Sequence, residues 1–128
     1  MRIFKTKWLA KFARRERISN LSLSEAIQRA ERGIVDADLG GRLIKPRVAR
    51  EGQGRSGGYR MLVAYRSQNR AVFLFGFAKN ERDNIGPDDL LSLRSIAAGW
   101  LAADAERIAQ ALDEDVLQEV DDDEADDT

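Results

Sequence analysis

Two apolar segments joined by a short polar turn constrain the fold of this 128-residue chain more than any other feature. Residues 59–66 (YRMLVAYR) and 71–79 (AVFLFGFAK) are rich in β-branched and aromatic side chains, and residues 67–70 (SQNR) separate them. Two such runs with a four-residue connection predict a β-hairpin. An isolated hairpin is marginally stable in water, so the remaining elements must pack against this one.

Side chains alternate between the two faces of a strand, and this alternation divides the hairpin into two predicted surfaces. One face carries large apolar side chains that we expect to cover helices: Tyr59, Met61, Val63, Tyr65, Phe73, Phe75 and Phe77. The other face carries Arg60 together with the small residues Gly76 and Ala78. We therefore expect open space beside Arg60 for a ligand or a partner.

The N-terminal third of the chain predicts a strand and two helices. Residues 2–6 alternate weakly, and the apolar spacing of residues 8–18 indicates an amphipathic helix. A second helix follows, capped by Ser22 or Ser24 and ended by Gly33.

Residues 36–49 predict one or two short strands, and Pro46 confines the later one to a sheet edge or a strand end. A last helix is predicted from Pro87 to about Leu112, with Gly99 as a weak point. This order of elements predicts one α+β domain. We expect a small antiparallel sheet, two N-terminal helices packed on one face, and a C-terminal helix nearby.

Missing residue types exclude several kinds of chemistry. The chain has no cysteine and no histidine, so disulfides, the common zinc sites and histidine acid–base catalysis are excluded. No apolar run approaches the roughly 20 residues of a membrane span, and the basic N-terminus lacks the pattern of a signal peptide. A cytoplasmic location without membrane contact is therefore expected.

The net charge of −1 hides two oppositely charged regions. Residues 1–112 contain all 21 Lys and Arg but only 12 of the acids, a net +9, whereas residues 113–128 contain the other 10 acids. We interpret residues 1–112 as a basic domain and residues 113–128 as a disordered acidic tail. The tail could fold over the cations as a phosphate mimic or simply aid solubility. Its apolar residues could form a short docking motif: Val116, Leu117 and Val120.

The strongest functional signal is the basic segment KPRVAREGQGRSGGYR, residues 45–60, whose only acid is Glu51. With the preceding Arg42 it supplies six cations: Arg42, Lys45, Arg47, Arg50, Arg55 and Arg60. Like charges repel, so such a cluster adds little stability and indicates a polyanionic partner. Four glycines in residues 52–58 predict a mobile loop, but their spacing matches neither a Walker loop nor a dinucleotide fingerprint.

RNA is a polyanion that the cations could both bind and cleave. Guanidinium groups neutralise phosphates and stabilise the extra charge of a pentacoordinate phosphorus. RNA also carries its own nucleophile, the 2′-OH, so cleavage needs no metal and no cofactor. Proton transfer would fall to Lys, Tyr, Glu or, less readily, Arg.

Alternative interpretations apply to several residues. Arg60 interrupts an apolar strand and is costly there unless its face is used, whereas seven other cations fit a solvated surface: Arg2, Lys5, Arg14, Arg15, Arg17, Arg29 and Arg32. Asp83, Asp88 and Asp89 could bind a hard cation, but acids are expected at a helix start. Four aromatic residues fit core positions better than catalytic ones: Tyr59, Tyr65, Trp8 and Trp100.

Two blocks, KPRVAREGQGRSGGYRMLVAY and VFLFGFAKNERDNI, resemble the RelE/ParE superfamily of type II toxin–antitoxin toxins, in its RelE-like or HigB-like branch. The resemblance covers roughly residues 1–103 and implies that residues 1–112 form a RelE-like toxin domain. It implies a metal-independent, ribosome-dependent mRNA endonuclease that inhibits translation. The implied partners are a cognate antitoxin, presumed here to be a helix-turn-helix protein, the ribosome and mRNA, and operator DNA through the antitoxin complex.

The resemblance also implies roles for individual residues. Arg60 matches the phosphate-stabilising arginine, and Lys45, Arg47 and Arg50 fall in the segment that supplies basic residues. Lys79 and Arg82 fall where further catalytic cations lie. We therefore predict the catalytic residues Arg60, Lys79, Arg82 and Lys45, and the RNA-binding residues Arg42, Arg47, Arg50 and Arg55.

The chain departs from the family pattern after the last strand. Asn84, Ile85 and Gly86 stand where RelE-type enzymes often place a tyrosine, and HigB-type enzymes often use a histidine. The general acid is unassigned, which leaves two alternatives open: a catalytically silent homologue that regulates transcription with its antitoxin, or a gyrase-targeting toxin of the ParE kind.

Overall fold

The computed structural model describes residues 1–50, 54–78 and 86–121, with only the backbone of Arg50 and residues 54–57. Within these ranges the chain is α+β, as predicted, with four helices and a six-stranded sheet. In chain order the elements are β1 (Arg2–Thr6), α1 (Lys7–Glu16), α2 (Asn20–Glu31), β2 (Leu43–Ile44), β3 (Arg47–Arg50), β4 (Gly54–Arg66), β5 (Arg70–Ala78), α3 (Pro87–Ala102), α4 (Ala105–Asp113) and β6 (Leu117–Glu119).

The predicted hairpin forms the centre of the sheet. The strand order is β2-β4-β5-β1-β6, and β3 pairs with β4 beside β2. Strands β4 and β5 are antiparallel, but β1 is parallel to β5, so the sheet is mixed rather than purely antiparallel. The long connection from β1 to β5, which includes two helices, permits the parallel pairing. Strand β4 begins at Gly54, so the loop predicted for residues 52–58 is wrong from Gly54 onward, while residues 52–53 lie outside the described ranges.

Two apolar cores lie on opposite faces of the sheet. Helices α1 and α2 cover one face, as predicted, through buried side chains that include Leu9, Phe12, Leu23 and Ile27. Helices α3 and α4 cover the other face through Ala97, Leu101, Ile108 and Ala111. The sheet is therefore the middle layer of the domain. No helix in the described part of the chain is long and apolar enough to cross a membrane.

A β-bulge in β5 changes which side chains share a face. Leu62 pairs with Phe75 and Val63 pairs with Phe73, which leaves Leu74 as an extra residue. Phe73 therefore faces α1 and α2, whereas Phe77 packs with the core below α3, and Phe75 contacts both that core and the Trp8 ring of α1, at 4.1 Å between centroids. The prediction that the three phenylalanines share one face is wrong beyond the bulge.

The same bulge turns Gly76 and Ala78 towards α1. A Cβ added at Gly76 would lie 2.7 Å from the Met61 sulfur and 3.0 Å from the Phe12 ring. Ala78 is buried in the core beside α1 and α2. The prediction that these two small residues leave open space beside Arg60 is therefore wrong.

Local hydrogen bonds set the helix ends. The Ser19 side chain accepts from the Ser22 amide and caps α2, so the predicted caps at Ser22 and Ser24 are wrong, while Gly33 follows the helix end with φ +85°. The predicted last helix is in fact two helices, α3 and α4, which are separated at Ala103 and Asp104. Asp104 caps α4, and Arg70 donates to the carbonyls of Trp100 and Ala103 at the end of α3.

The acidic region is part of the fold as far as Asp121. Strand β6 pairs antiparallel with β1, and Leu117 and Val120 are 1% and 8% exposed. The predicted boundary at residue 112 is therefore wrong for residues 113–121, whose apolar residues dock on this chain's own sheet. Residues 122–128 lie outside the described ranges.

Replacing Leu117 with alanine tests this docking. We expect Leu117→Ala to lower the free energy of unfolding by about 2–4 kcal/mol, because the side chain is fully buried against the sheet. Urea unfolding measures the change. Gln118→Ala, at a half-buried position on the same strand, is the matched control and should cost less than about 1 kcal/mol. Equal midpoints for wild type and Leu117→Ala would mean that β6 does not pack on the sheet in solution.

Candidate functional site

Two arginines lie directly opposite each other across β3 and β4. Arg47 is the register partner of Arg60, and the Met61 amide donates to the Pro46 carbonyl at 3.0 Å. This bond identifies Arg47 and Arg60 as a pair without mutual backbone hydrogen bonds. Opposite residues are closest in such a pair, with Cα atoms about 4.5 Å apart. Arg47 is exposed and Arg60 is half-buried.

The arginine pair stands beside an apolar groove below α3. Arg60 also pairs with Phe77 on β5, and cross-strand partners project from the same face of the sheet. A groove of about 240 Å³ begins there, between the sheet and the first turns of α3. Its lining residues are Leu62, Phe75, Phe77, Asp89, Ser92, Leu93 and Ile96.

Lys45 belongs to the same edge of the sheet. Its amide donates to the Ala37 carbonyl at 2.8 Å, and it is half-buried between β2 and β3. Leu43 faces the α3 side and Ile44 faces the α1 and α2 side. Strand alternation therefore places Lys45 on the same face as Arg47 and Arg60.

The other predicted residues are not all part of this cluster. Arg42 lies in a turn with φ +62°, and its carbonyl accepts from the Tyr65 amide. That position is five residues along β4 from Arg60, or roughly 17 Å. Arg50 pairs with Gly54 at the opposite end of β4, and Arg55 follows on β4, but their side chains are not described. Lys79 and Arg82 lie outside the described residues.

Two residues outside the predicted site hold the backbone of Arg47. The Arg47 amide donates to Asp36 Oδ2 at 2.7 Å, and its carbonyl accepts from Arg29 Nη2. Sequence reasoning assigned Arg29 to the solvated surface, yet its side chain is 12% exposed. Nothing in the sequence distinguishes it from Arg32, because the contact depends on how the end of α2 meets β3.

Comparison with known proteins identifies the family. Residues 1–120 match the family described as the RelE toxin of the RelE/RelB toxin-antitoxin system. The chain belongs to the RelE toxin family. A search of curated proteins gives no significant match. Membership makes the chain a toxin of a toxin–antitoxin system and implies a cognate antitoxin, and RelE toxins are generally ribonucleases. The matched region includes β6.

Both tyrosines of this RelE toxin are engaged outside the arginine cluster. Tyr59 is 2% exposed, and its hydroxyl donates to Glu16 at 2.9 Å on the α1 side. Tyr65 lies near the far end of β4, and its hydroxyl donates to Glu31 on α2. Burial raises the pKa of Tyr65, and the bond to Glu31 raises it further. Neither hydroxyl is placed to exchange a proton beside Arg60.

The carboxylates of the toxin do not form a metal site in the described ranges. No group of three or more acidic side chains there could hold a metal ion. Asp88 and Asp89 occupy the first turn of α3, where acids stabilise the helix dipole. Asp83 lies outside the described residues.

Glu31 joins the end of α2 to the turn between β4 and β5. Besides Tyr65, it accepts from the Ser67 hydroxyl at 2.8 Å and the Gln68 amide at 2.9 Å. The bond from Tyr65 is the main cause that lowers the pKa of Glu31 below its ordinary value of 4.5, and the bonds from Ser67 and Gln68 lower it further. The ionised carboxylate is therefore the form that stabilises the fold.

Stability should depend on the charge of Glu31. A lowered carboxyl pKa contributes stability that is complete above pH 4.5 and is lost as the pH falls below it. We expect Glu31→Gln to reduce the urea midpoint at pH 6.5 and to have a smaller effect at pH 3.5. Glu25→Gln, at an exposed position of the same helix, controls for general charge effects. The same loss at both pH values would exclude this contribution.

Proposed function

We propose that this toxin is a metal-independent mRNA endoribonuclease that acts on the ribosome and inhibits translation. The observation that carries the proposal is the direct cross-strand pairing of Arg47 with Arg60 beside an apolar groove. Like charges directly opposite each other destabilise a sheet. A phosphate bound between the two guanidinium groups removes this repulsion and accounts for their position.

The arrangement suits attack by the 2′-OH of RNA on the adjacent phosphorus. The new bond joins the 2′ oxygen to phosphorus, and the bond to the 5′ oxygen breaks. The products are a 2′,3′-cyclic phosphate and a 5′-hydroxyl end, and the proton lost by the 2′-OH is balanced by one gained by the 5′ oxygen. Arg60 stabilises the negative charge of the pentacoordinate phosphorus. No step needs an oxidant, a metal or a cofactor.

The other cations take supporting roles in this proposal. Lys45 and Arg47 hold the phosphate backbone at the sheet edge and assist proton transfer. We keep the sequence predictions that Lys79 and Arg82 assist catalysis and that three further arginines bind RNA: Arg42, Arg50 and Arg55. The distance of Arg42 from Arg60 restricts it to a phosphate several nucleotides from the cleaved bond. Guanidinium contacts to phosphate supply affinity without reading the base sequence.

The groove suits a nucleoside next to the bound phosphate. Its lining is mainly apolar and includes Phe75 and Phe77, and it also contains the polar residues Asp89 and Ser92. RNA bases unstack readily from single strands and bind to apolar or aromatic surfaces. Because the family resemblance implies a ribosome-dependent activity, we propose that the ribosome presents the accessible single strand.

Family membership supports a cognate antitoxin as partner, and we propose the ribosome, mRNA and operator DNA in addition. The cognate antitoxin, proposed to carry a helix-turn-helix, would cover the cationic edge, and the complex would contact operator DNA through the antitoxin. A toxin that binds mRNA and ribosomes would act in the cytoplasm.

Arg60→Ala tests the proposed reaction. Expression of the wild type without its antitoxin should arrest growth and fragment mRNA. Arg60→Ala should lower cleavage about 100-fold or more, because it removes the main charge that stabilises the transition state. Primer extension on ribosome-associated transcripts measures cleavage, and immunoblotting confirms equal protein levels.

Arg32→Ala is the matched control, since it removes the same charge at an exposed position that we assign to the solvated surface. We expect it to keep cleavage within a few-fold of wild type. Undiminished cleavage by Arg60→Ala would refute the assignment of Arg60. Intact transcripts with induced DNA damage would point instead to a gyrase target. Operator binding by the antitoxin complex without any toxicity would support a silent homologue.

A further inference from the structure

We infer that Arg29 and Asp36 are positioning residues that fix Arg47 opposite Arg60. Their effect on RNA rests on the proposed function, whereas their effect on the backbone of β3 does not. Neither residue needs to touch RNA, because both act on main-chain groups of Arg47.

The two side chains satisfy both polar backbone groups of one residue. Asp36 Oδ2 accepts from the Arg47 amide at 2.7 Å, and Arg29 Nη2 donates to the Arg47 carbonyl. Arg29 Nη2 also lies 3.8 Å from Asp36 Oδ2, which joins the two into one ion pair. Their side chains are 12% and 19% exposed, so water screens these contacts less than contacts on an open surface.

The contacts matter because β3 is a short edge strand whose main anchor in the core is Val48. It pairs only with β4 among the described strands, so the amide and carbonyl of Arg47 point away from the sheet. Pro46 precedes it and has no amide hydrogen, and the register shifts between Val48 and Arg50. Regular pairing is therefore confined to Arg47 and Val48. Among the described strands, none pairs with the outer side of β3, so Asp36 and Arg29 supply the partners of the Arg47 backbone groups there.

Helix α2 and the turn after it give the ion pair a rigid base. Arg29 lies in the last turn of α2, between the buried Ile27 and Ala30. A cation there is also stabilised by the helix dipole. Gly33, with φ +85°, then reverses the chain towards Asp36. The core that holds α2 against the sheet thus determines where the Arg47 backbone lies.

The consequence for RNA is specific. The repulsion between the two guanidinium groups favours movement of β3 away from β4, because Arg47 is on the edge strand and Arg60 is on a central one. The ion pair opposes this movement and keeps the phosphate-binding geometry ready before RNA arrives. Misplacement of a binding group by about 1 Å can reduce an enzyme's rate about 100-fold.

A double-mutant cycle separates positioning from a general loss of stability. We expect Arg29→Lys and Asp36→Ala each to lower kcat/KM for ribosome-bound mRNA about tenfold or more in the wild-type background. In an Arg47→Gln background the same changes should lower kcat/KM by less than about a further factor of two, because the guanidinium that they position is absent. Their effect on the urea midpoint should be similar in both backgrounds, since Gln keeps the backbone groups.

Two controls and a second measurement complete the test. Arg32→Lys and Glu25→Ala alter the same helix without a described contact to Arg47, and both should keep wild-type activity. Amide hydrogen exchange of Arg47 in the full-length toxin should become at least tenfold faster in Asp36→Ala. Unchanged exchange would overturn the inference even if the enzyme is active.

Additive losses of kcat/KM in the cycle would also overturn it, because they would show that Arg29 or Asp36 acts on RNA independently of Arg47. Failure of the proposed function gives a different pattern. Arg60→Ala would then keep full cleavage, while faster exchange of the Arg47 amide in Asp36→Ala would still support the positioning role.

Discussion

The pairing of β4 with β5 is the constraint on which both faces of this domain depend. Each strand is buried on both sides, so a change of register would move every side chain to the wrong core. The extra residue at Leu74 shifts the alternation by one, so the residues after it point to the opposite faces. Before the bulge, Phe73 supports α1 and α2, and after it Phe75 and Phe77 face α3. The aromatic floor of the groove therefore comes to lie on the same face as Arg60.

The edge next to β4 shows how a destabilising arrangement is maintained. Arg47 and Arg60 are like charges directly opposite each other, an arrangement that disfavours strand pairing, and β3 has only four residues with which to offset it. The neighbouring contacts from α2 and Asp36 act on the backbone, which leaves the guanidinium of Arg47 exposed. The contacts that hold β3 and the proposed phosphate contact thus use different atoms of Arg47, so each can be altered separately by substitution.

Local patterns predicted the elements well but could not predict features that depend on tertiary contacts. The hairpin, the first two helices and the α+β class follow from alternation, helical spacing and turn residues. The bulge was not predicted, although Gly76, two residues after Leu74, is the kind of strand residue that often accompanies one. Strand β6 was not predicted, because residues 113–121 are acidic and the strand is stabilised only when Leu117 and Val120 pack on the sheet beside β1.

For the site, composition indicated the basic segment, and the segment's pairing with β4 placed Lys45 and Arg47 with Arg60. The sequence did not identify Arg29 and Asp36 as positioning residues, because their partners are main-chain groups, which leave no residue-specific pattern.

The position of β6 also bears on the acidic tail. Strand β6 lies at one edge of the sheet and β3 at the other, with β1, β5 and β4 between them. The carbonyl of Asp121 accepts from Asn20, near the end of the sheet where Arg2 pairs with Arg70. From there to Arg60 the path covers about three strand spacings and seven residues of β5, or roughly 27 Å. Carboxylates that mask Arg60 would have to span this distance, and ordering the segment that carries them would cost about 1–2 kcal/mol per residue. The charge of residues 122–128 therefore keeps both predicted uses, a phosphate mimic over the cations or an aid to solubility, and the mimic bears the larger entropic cost.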